Sequence, residues 1–432
     1  MFKVPKRLFS EDTLTGIADI FLVYTMLSPM ILNIIGGYIK LTPNFIRTFL
    51  VLQGPGLIAT AIYLKVNGID SVRKNKEIIF IVVVLILILF VSSIKQWDAN
   101  STRVSFKFFL AYCVFGFFLG MISQIDLYRA KLLDGIWMFY IVLFLLYSIY
   151  LFSHLGYSFR LSTLPGHSSA RIAALYFFFG LCVLANFTLS RKTVARIGYG
   201  VIFFLSVSVA SYAASRSASR SALVVFWIIF ISYLLCQLKY NASRFNKLSF
   251  MTVLIAMCVL FSLIWLGSGN KRIKRKFSSI VDLPKQTVAC FLNNDKSAYR
   301  AVNRFPLWKD AIFKFKQNPI EGVGYGTKYY HEIRDETRNH PHNIFLQFLA
   351  ETGLLGFGSF LLFLILVIKR SVESHKSLKD NDRLIFIFYP LSFIFFVLFS
   401  STHFAIHENY FLWYFAGMIV GFDTDSHQEG FS

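Results

Sequence analysis

The chain has 432 residues, 56% hydrophobic and only 16% charged, with 49 phenylalanines and a formal net charge of +21. A soluble core has no use for that much apolar surface, which excludes a string of soluble domains in favour of many lipid-facing helices. The positive charge comes with no helix-turn-helix pattern and no finger motif, so it does not indicate a nucleic-acid partner.

The apolar residues fall in blocks of about twenty, enough to cross a hydrocarbon layer about 30 Å thick. The first, residues 13–35, is too long for a signal peptide and lacks its small-residue cleavage pattern, so it is expected to remain as a span. The others run at 46–66, 77–95, 104–124, 134–154, 169–189, 196–213, 220–237, 248–268, 343–369, 384–401 and 406–423. Gly54-Pro55-Gly56 interrupts the second, an interruption that membrane helices tolerate. The expected fold is all-α: a single polytopic membrane domain over residues 1–432 with about 12 transmembrane helices.

Short basic connections set the orientation. Lys3, Lys6 and Arg7, then Arg73, Lys74 and Lys76, then Arg191, Lys192 and Arg196 fall in alternate connections, as do Lys369, Arg370 and Arg383. Both termini are therefore expected in the cytoplasm. Of the five cysteines only Cys290 stands in a polar stretch, and no CxxC spacing suggests a metal.

One connection, residues 269–342, is long and hydrophilic, and the threading puts it outside as a periplasmic loop. It is rich in lysine and arginine, which suits an anionic partner such as lipid phosphate or a charged glycolipid. Within it Val302, Phe305, Trp308, Ile312 and Phe315 recur at helical spacing, predicting an amphipathic helix stopped by Asn318-Pro319. Gly322, Gly324 and Gly326 then predict a flexible turn before the chain re-enters the membrane.

Several residues can carry chemistry on this outer side. Arg216 and Arg220, four apart at the expected outer end of two spans, share a helix face and suit a pyrophosphate, whose oxygens accept paired guanidinium hydrogen bonds. Arg160 is expected in the same cluster, and Arg304 opens the polar face of the loop helix. His340-Pro341-His342-Asn343 opens the tenth span, where the positive end of the helix favours a neutral imidazole able to act as general base. Asn343 is expected to orient that histidine or cap the helix. No carboxylate or cysteine has ligand spacing to His340 and His342, so no metal is expected. Glu351, inside the span, is a functional candidate or an arginine's partner, and His403, His407 and Glu408 are further candidates on the last outer loop.

These motifs resemble the O-antigen ligase and polymerase superfamily of bacterial inner membranes. The resemblance lies in His342-Asn343, nine residues, then Gly353-Leu354-Leu355-Gly356; in Arg304 followed by Pro319 and Gly322-Val323-Gly324; and in Ser219-Arg220-Ser221-Ala222. Arg160 matches an arginine early in the loop before the sixth span. Where ligases often continue the glycine motif with threonine, this chain has Phe357-Gly358.

The resemblance implies glycosyl transfer from an undecaprenyl-pyrophosphate-linked O-antigen donor, with no cofactor, no metal and no nucleotide. For a ligase the acceptor is a lipid A-core sugar hydroxyl, and the setting is lipopolysaccharide biosynthesis at the periplasmic face of the inner membrane, among its lipids. Arg160, Arg216, Arg220 and Arg304 would hold the pyrophosphate, and His342 would deprotonate the acceptor, with inversion at the anomeric carbon. His340, Asn343, Gly353 and Gly356 would support the site. An O-antigen polymerase with the same donor, a protein-O-oligosaccharyltransferase and a polysaccharide lipid transporter stand as alternatives.

Overall fold

The computed structural model describes residues 11–36, 45–67, 70–96, 100–123, 304–332, 334–378, 386–400 and 409–422, with separate positions between 225 and 239 and at 383 and 406. In chain order the described elements are α1 (Glu11–Gly36), α2 (Phe45–Asn67), α3 (Asp70–Lys74), α4 (Lys76–Ile94) and α5 (Asn100–Phe108). A π-helical stretch (Phe109–Val114) then leads into α6 (Phe115–Ile122). After the long gap come α7 (Phe305–Gln317), strands β1 (Tyr329–His331) and β2 (Glu336–Arg338), α8 (Ile344–Ser377), α9 (Phe388–Ser400) and α10 (Tyr410–Val420).

The described chain is mostly helical, as expected of an all-α membrane protein. Among the described residues three helices are long and apolar enough to cross a membrane: Lys76–Ile94, Ser105–Ile122 and Ile344–Ser377. They coincide with the spans expected at 77–95, 104–124 and 343–369, the last continuing eight residues further. Helices α1, α2, α9 and α10 lie within or close to four more of the predicted spans, and α2 runs unbroken through Pro55. The described positions between 225 and 239 are helical. The spans expected at 134–154, 169–189, 196–213 and 248–268 lie outside the described residues.

Small residues let the helices approach closely. Gly120 on α6 lies against Gly417 on α10, Gly421 just beyond α10 lies against the Met121 backbone, and Gly116 leaves room for the Tyr414 ring. A Cβ on Gly120 would stand 2.7 Å from the Tyr414 carbonyl oxygen, and one on Gly417 would meet the Phe117 carbonyl. Where water supplies no drive to separate helices from lipid, such backbone-to-backbone packing is what holds them together. Aromatic rings fill the rest: Phe363 stacks on Trp413 with centroids 4.9 Å apart, and Phe396 on Phe411 at the same separation. Between α1 and α2 the Tyr63 hydroxyl donates to Asp19 Oδ1 at 2.6 Å, a buried bond that satisfies a carboxylate inside a span.

The loop helix forms where the apolar spacing predicts it and stops at Asn318. The turn that follows leads into a hairpin that periodicity did not indicate: β1 and β2 pair antiparallel, Tyr329 opposite Arg338 and His331 opposite Glu336.

Candidate functional site

Helix α7 starts with Arg304 as its N-cap residue and Pro306 in its first turn, where a missing N–H costs no helical bond. Its buried side, Leu307 and Ala311, packs on Tyr329 and on Ala350 of α8. One further bond fixes this docking. The indole N–H of Trp308 donates to the carbonyl of Pro341 at 3.0 Å, immediately before His342.

Arg304 lies one turn ahead of Trp308 on the same face, its carbonyl accepting the Trp308 N–H at 3.1 Å. Burial lowers its guanidinium pKa to about 10, so it stays charged at neutral pH while losing most of its hydration. An anionic guest offsets that loss far better than one that is neutral.

The segment after the hairpin is shaped by its own backbone. Asn343 is extended at φ −152°, and its Oδ1 accepts the N–H groups of Phe345 at 3.0 Å and Leu346 at 3.1 Å. It therefore caps α8 rather than orienting the histidine. His342 precedes this cap with φ +57°, the left-handed region, which costs a residue with a Cβ about 1–3 kcal/mol when the surroundings impose it. Its N–H donates to His340 Nδ1 at 3.3 Å, and the two rings meet edge to face with centroids 4.2 Å apart. Strain of this kind collects at sites where a side chain must point somewhere specific.

The two glycine motifs are one structural unit. Gly353 breaks α8 at φ +63°, ψ −160°, which strips the helix of intrahelical bonds for about one turn. The turn after α7 supplies them. The carbonyls of Pro319 and Ile320 accept from Leu354 N at 2.8 Å and Leu355 N at 3.2 Å, while Val323 N and Gly324 N donate to the carbonyls of Ala350 at 2.9 Å and Glu351 at 3.1 Å. Any Cβ on Gly353 would collide with the Ile320 carbonyl, and one on Gly322, at φ +70°, with the backbone between Glu351 and Thr352. The turn expected to be flexible is instead locked into the break. Gly356 allows the Thr352 side chain to lie along the helix and bond the Phe348 carbonyl at 2.7 Å.

Glu351 sits at this junction, fully buried, and among the described residues its partners are a phenol, an amide and a backbone N–H rather than an arginine. Its Oε1 accepts from the Tyr329 hydroxyl and from Gln347 Nε2, both at 2.9 Å, and its Oε2 from Gly326 N–H at 2.9 Å. Gln347 Oε1 in turn accepts Ile406 N–H at 3.0 Å, and Ser92 of α4 donates to the Glu351 carbonyl at 2.7 Å. Burial and the Glu351 charge push the Tyr329 phenol well above its ordinary range, so it remains a donor. One carboxyl group thereby ties together the glycine turn, the hairpin and α8, and through Gln347 the approach to α10.

Of the residues singled out from sequence, Arg304, His340, His342, Asn343, Gly353 and Gly356 belong to this assembly. Arg160, Arg216 and Arg220 lie outside the described residues, as do His403, His407 and Glu408. Trp308, Tyr329 and Gln347 gave no functional signal of their own in the sequence. Gln347 and Glu351, four apart on one helix face, could have been paired; Tyr329, distant in the chain, could not.

Residues 205–361 match the family model described as O-antigen ligase, a stretch that takes in Arg216, Arg220, Arg304, His342 and both glycine motifs but not Arg160. A comparison with curated proteins returns no match.

Proposed function

We propose, from the match of residues 205–361 to the O-antigen ligase family model, that the chain is a member of this superfamily of ligases and polymerases of lipid-linked polysaccharide, and that it is the ligase. It takes O-antigen from undecaprenyl pyrophosphate and joins it to a sugar hydroxyl of lipid A-core at the periplasmic face of the inner membrane. The observation that carries this reading is the Trp308–Pro341 hydrogen bond, which binds the helix begun by Arg304 to the backbone that aims His342.

In this mechanism His342 takes the proton of the acceptor hydroxyl as its oxygen forms a bond to the anomeric carbon. The bond from that carbon to the pyrophosphate oxygen breaks on the opposite side, its electron pair leaves with undecaprenyl pyrophosphate, and the configuration inverts. Arg304, with Arg160, Arg216 and Arg220, offsets the charge that grows on the departing oxygen. The lipid diphosphate is already an activated leaving group, so in this mechanism the step needs no metal. Exposed Lys328 and Arg334 on the hairpin suit an acceptor whose core sugars carry phosphate.

The test is a lipopolysaccharide gel from a ligase-deficient strain expressing the chain, beside Arg220→Ala and His342→Ala versions. A ladder on lipid A-core that appears with the wild type and disappears with both variants supports the ligase. Bare core with a changed length of lipid-linked polymer assigns the chain to the polymerases. A lipid-linked glycan that changes sides of a reconstituted membrane without a change in mass points instead to a transporter.

A further inference from the structure

Two helices mark where the hydrocarbon layer ends beside the site. On α8 the residues before the break are mostly buried, and an exposed apolar stripe begins at Leu354, 54% exposed, continuing through Leu362 and Ile365 to Val372. From Leu354 to Val372 the helix rises about 27 Å, close to the roughly 30 Å of a bilayer core. On α4 a second exposed stripe runs from Phe80 to Ile94, itself 57% exposed, and ends at Lys95.

Both stripes stop at the same piece of chain. Leu354 and Leu355 bond the carbonyls of Pro319 and Ile320. Lys95 Nζ reaches Glu321 Oε2 at 2.9 Å and the Gly322 carbonyl at 3.2 Å. The Lys95 bond holds the Glu321 carboxyl below the usual carboxylate range, so the clip is ionic at neutral pH. The turn after the loop helix therefore lies at the hydrocarbon boundary.

Its side chains match that position. Ile320 is 62% exposed beside exposed Leu354 and Leu355, and Phe313, seven residues earlier on α7, is 59% exposed. Lys309 precedes Phe313 by four residues and Lys316 follows it by three, so all three share the outer face of α7; both lysines are exposed, and Lys309 also approaches Glu332 at 3.9 Å. An apolar tip between two lysines is the pattern of an interfacial helix, with ring and branch among acyl chains and ammonium groups at the headgroup phosphates.

We propose that α7 and the turn Pro319–Gly322 are seated in the membrane interface, with Phe313 and Ile320 immersed in lipid and Lys309 and Lys316 against anionic headgroups. The loop helix is then a floor laid on the bilayer. It holds Arg304 and Trp308 at the depth at which the head of a lipid-linked substrate emerges. On this seating the hairpin, tied to α7 by the Tyr330 N–H to Asp310 Oδ2 at 2.9 Å, lies on the aqueous side. This placement does not depend on the transferase reading and is tested without activity.

The experiment uses the unaltered full chain, reconstituted with phosphatidylglycerol-containing lipid that carries a photoactivated diazirine in its acyl chain. After illumination, lipid adducts are mapped by peptide mass spectrometry. Adducts on Phe313 and Ile320 as well as Leu354–Leu355, at least fivefold above those on Lys328–Arg338, are the expected result. Adducts on Leu354–Leu355 with none on Phe313 or Ile320 would overturn the seating. Absence from Leu354–Leu355 also counts against it, since the boundary would then lie elsewhere.

Discussion

His342 combines a chemical role with a backbone conformation that few residues accept, and the two can be separated. Asparagine tolerates the left-handed region at least as well as histidine but cannot serve as a base near neutral pH. His342→Asn is therefore expected to keep the melting temperature of the purified protein within about 2 °C while lowering transfer by a factor of about 100 or more. A comparable rate for the variant would remove His342 from the chemistry. Glu351 makes the opposite kind of prediction. All three groups that face its carboxylate are donors, so Glu351→Gln turns an amide NH2 toward one of them and leaves a buried group unsatisfied, at about 1–3 kcal/mol. Unfolding of Glu351→Gln, Tyr329→Phe and the double variant should show the two changes to be strongly non-additive, because they disturb the same bond.

At the scale of elements, the glycines of α8 have different reasons to be glycine. Gly353 lies at positive φ against the Ile320 carbonyl, whereas a Cβ on Gly358, five residues later, meets nothing within 4 Å. Gly353→Ala should destabilise by more than about 2 kcal/mol, since it adds steric overlap to a strained backbone. Gly358→Ala should stabilise by about 0.5–1 kcal/mol through helix propensity alone. Thermal unfolding in one detergent compares them directly, and equal shifts would show that the break is not what Gly353 serves. The docking of α7 gives a milder case. Trp308→Phe keeps the ring but loses the donor to Pro341, so a loss of about 1 kcal/mol is expected, together with reduced transfer. Wild-type transfer in that variant would mean that the α7–His342 connection is not needed for the reaction.

For the whole molecule, the association of α6 with α10 rests on backbone contact that side chains would prevent. Gly417→Ala places a methyl against the Phe117 carbonyl and should lower thermal stability sharply, while Gly16→Ala, with nothing within 4 Å of the new methyl, should not. Matching melting temperatures for the two would argue that the helices are held by their aromatic contacts instead. Much of this architecture was legible beforehand. Membrane helices declare themselves in runs of apolar residues because lipid demands it of each segment separately, which is why α4, α8 and the loop helix fall close to where their patterns predict them. The arginine, histidine and glycine motifs were legible for a similar reason: each is local in the chain. What tertiary structure alone decided is how these motifs meet. The bonds missing from the Gly353 break are supplied by a turn more than 25 residues earlier, and the hydrogen bonds of the buried Glu351 carboxyl group by donors from that turn, the hairpin and α8 itself. Composition and periodicity determined that the chain belongs in a membrane and which short motifs it carries. The locked glycine turn, the strained His342 and the tie from Trp308 to Pro341 were decided by packing, because satisfying a buried polar group depends on which distant segment lies within 3 Å of it.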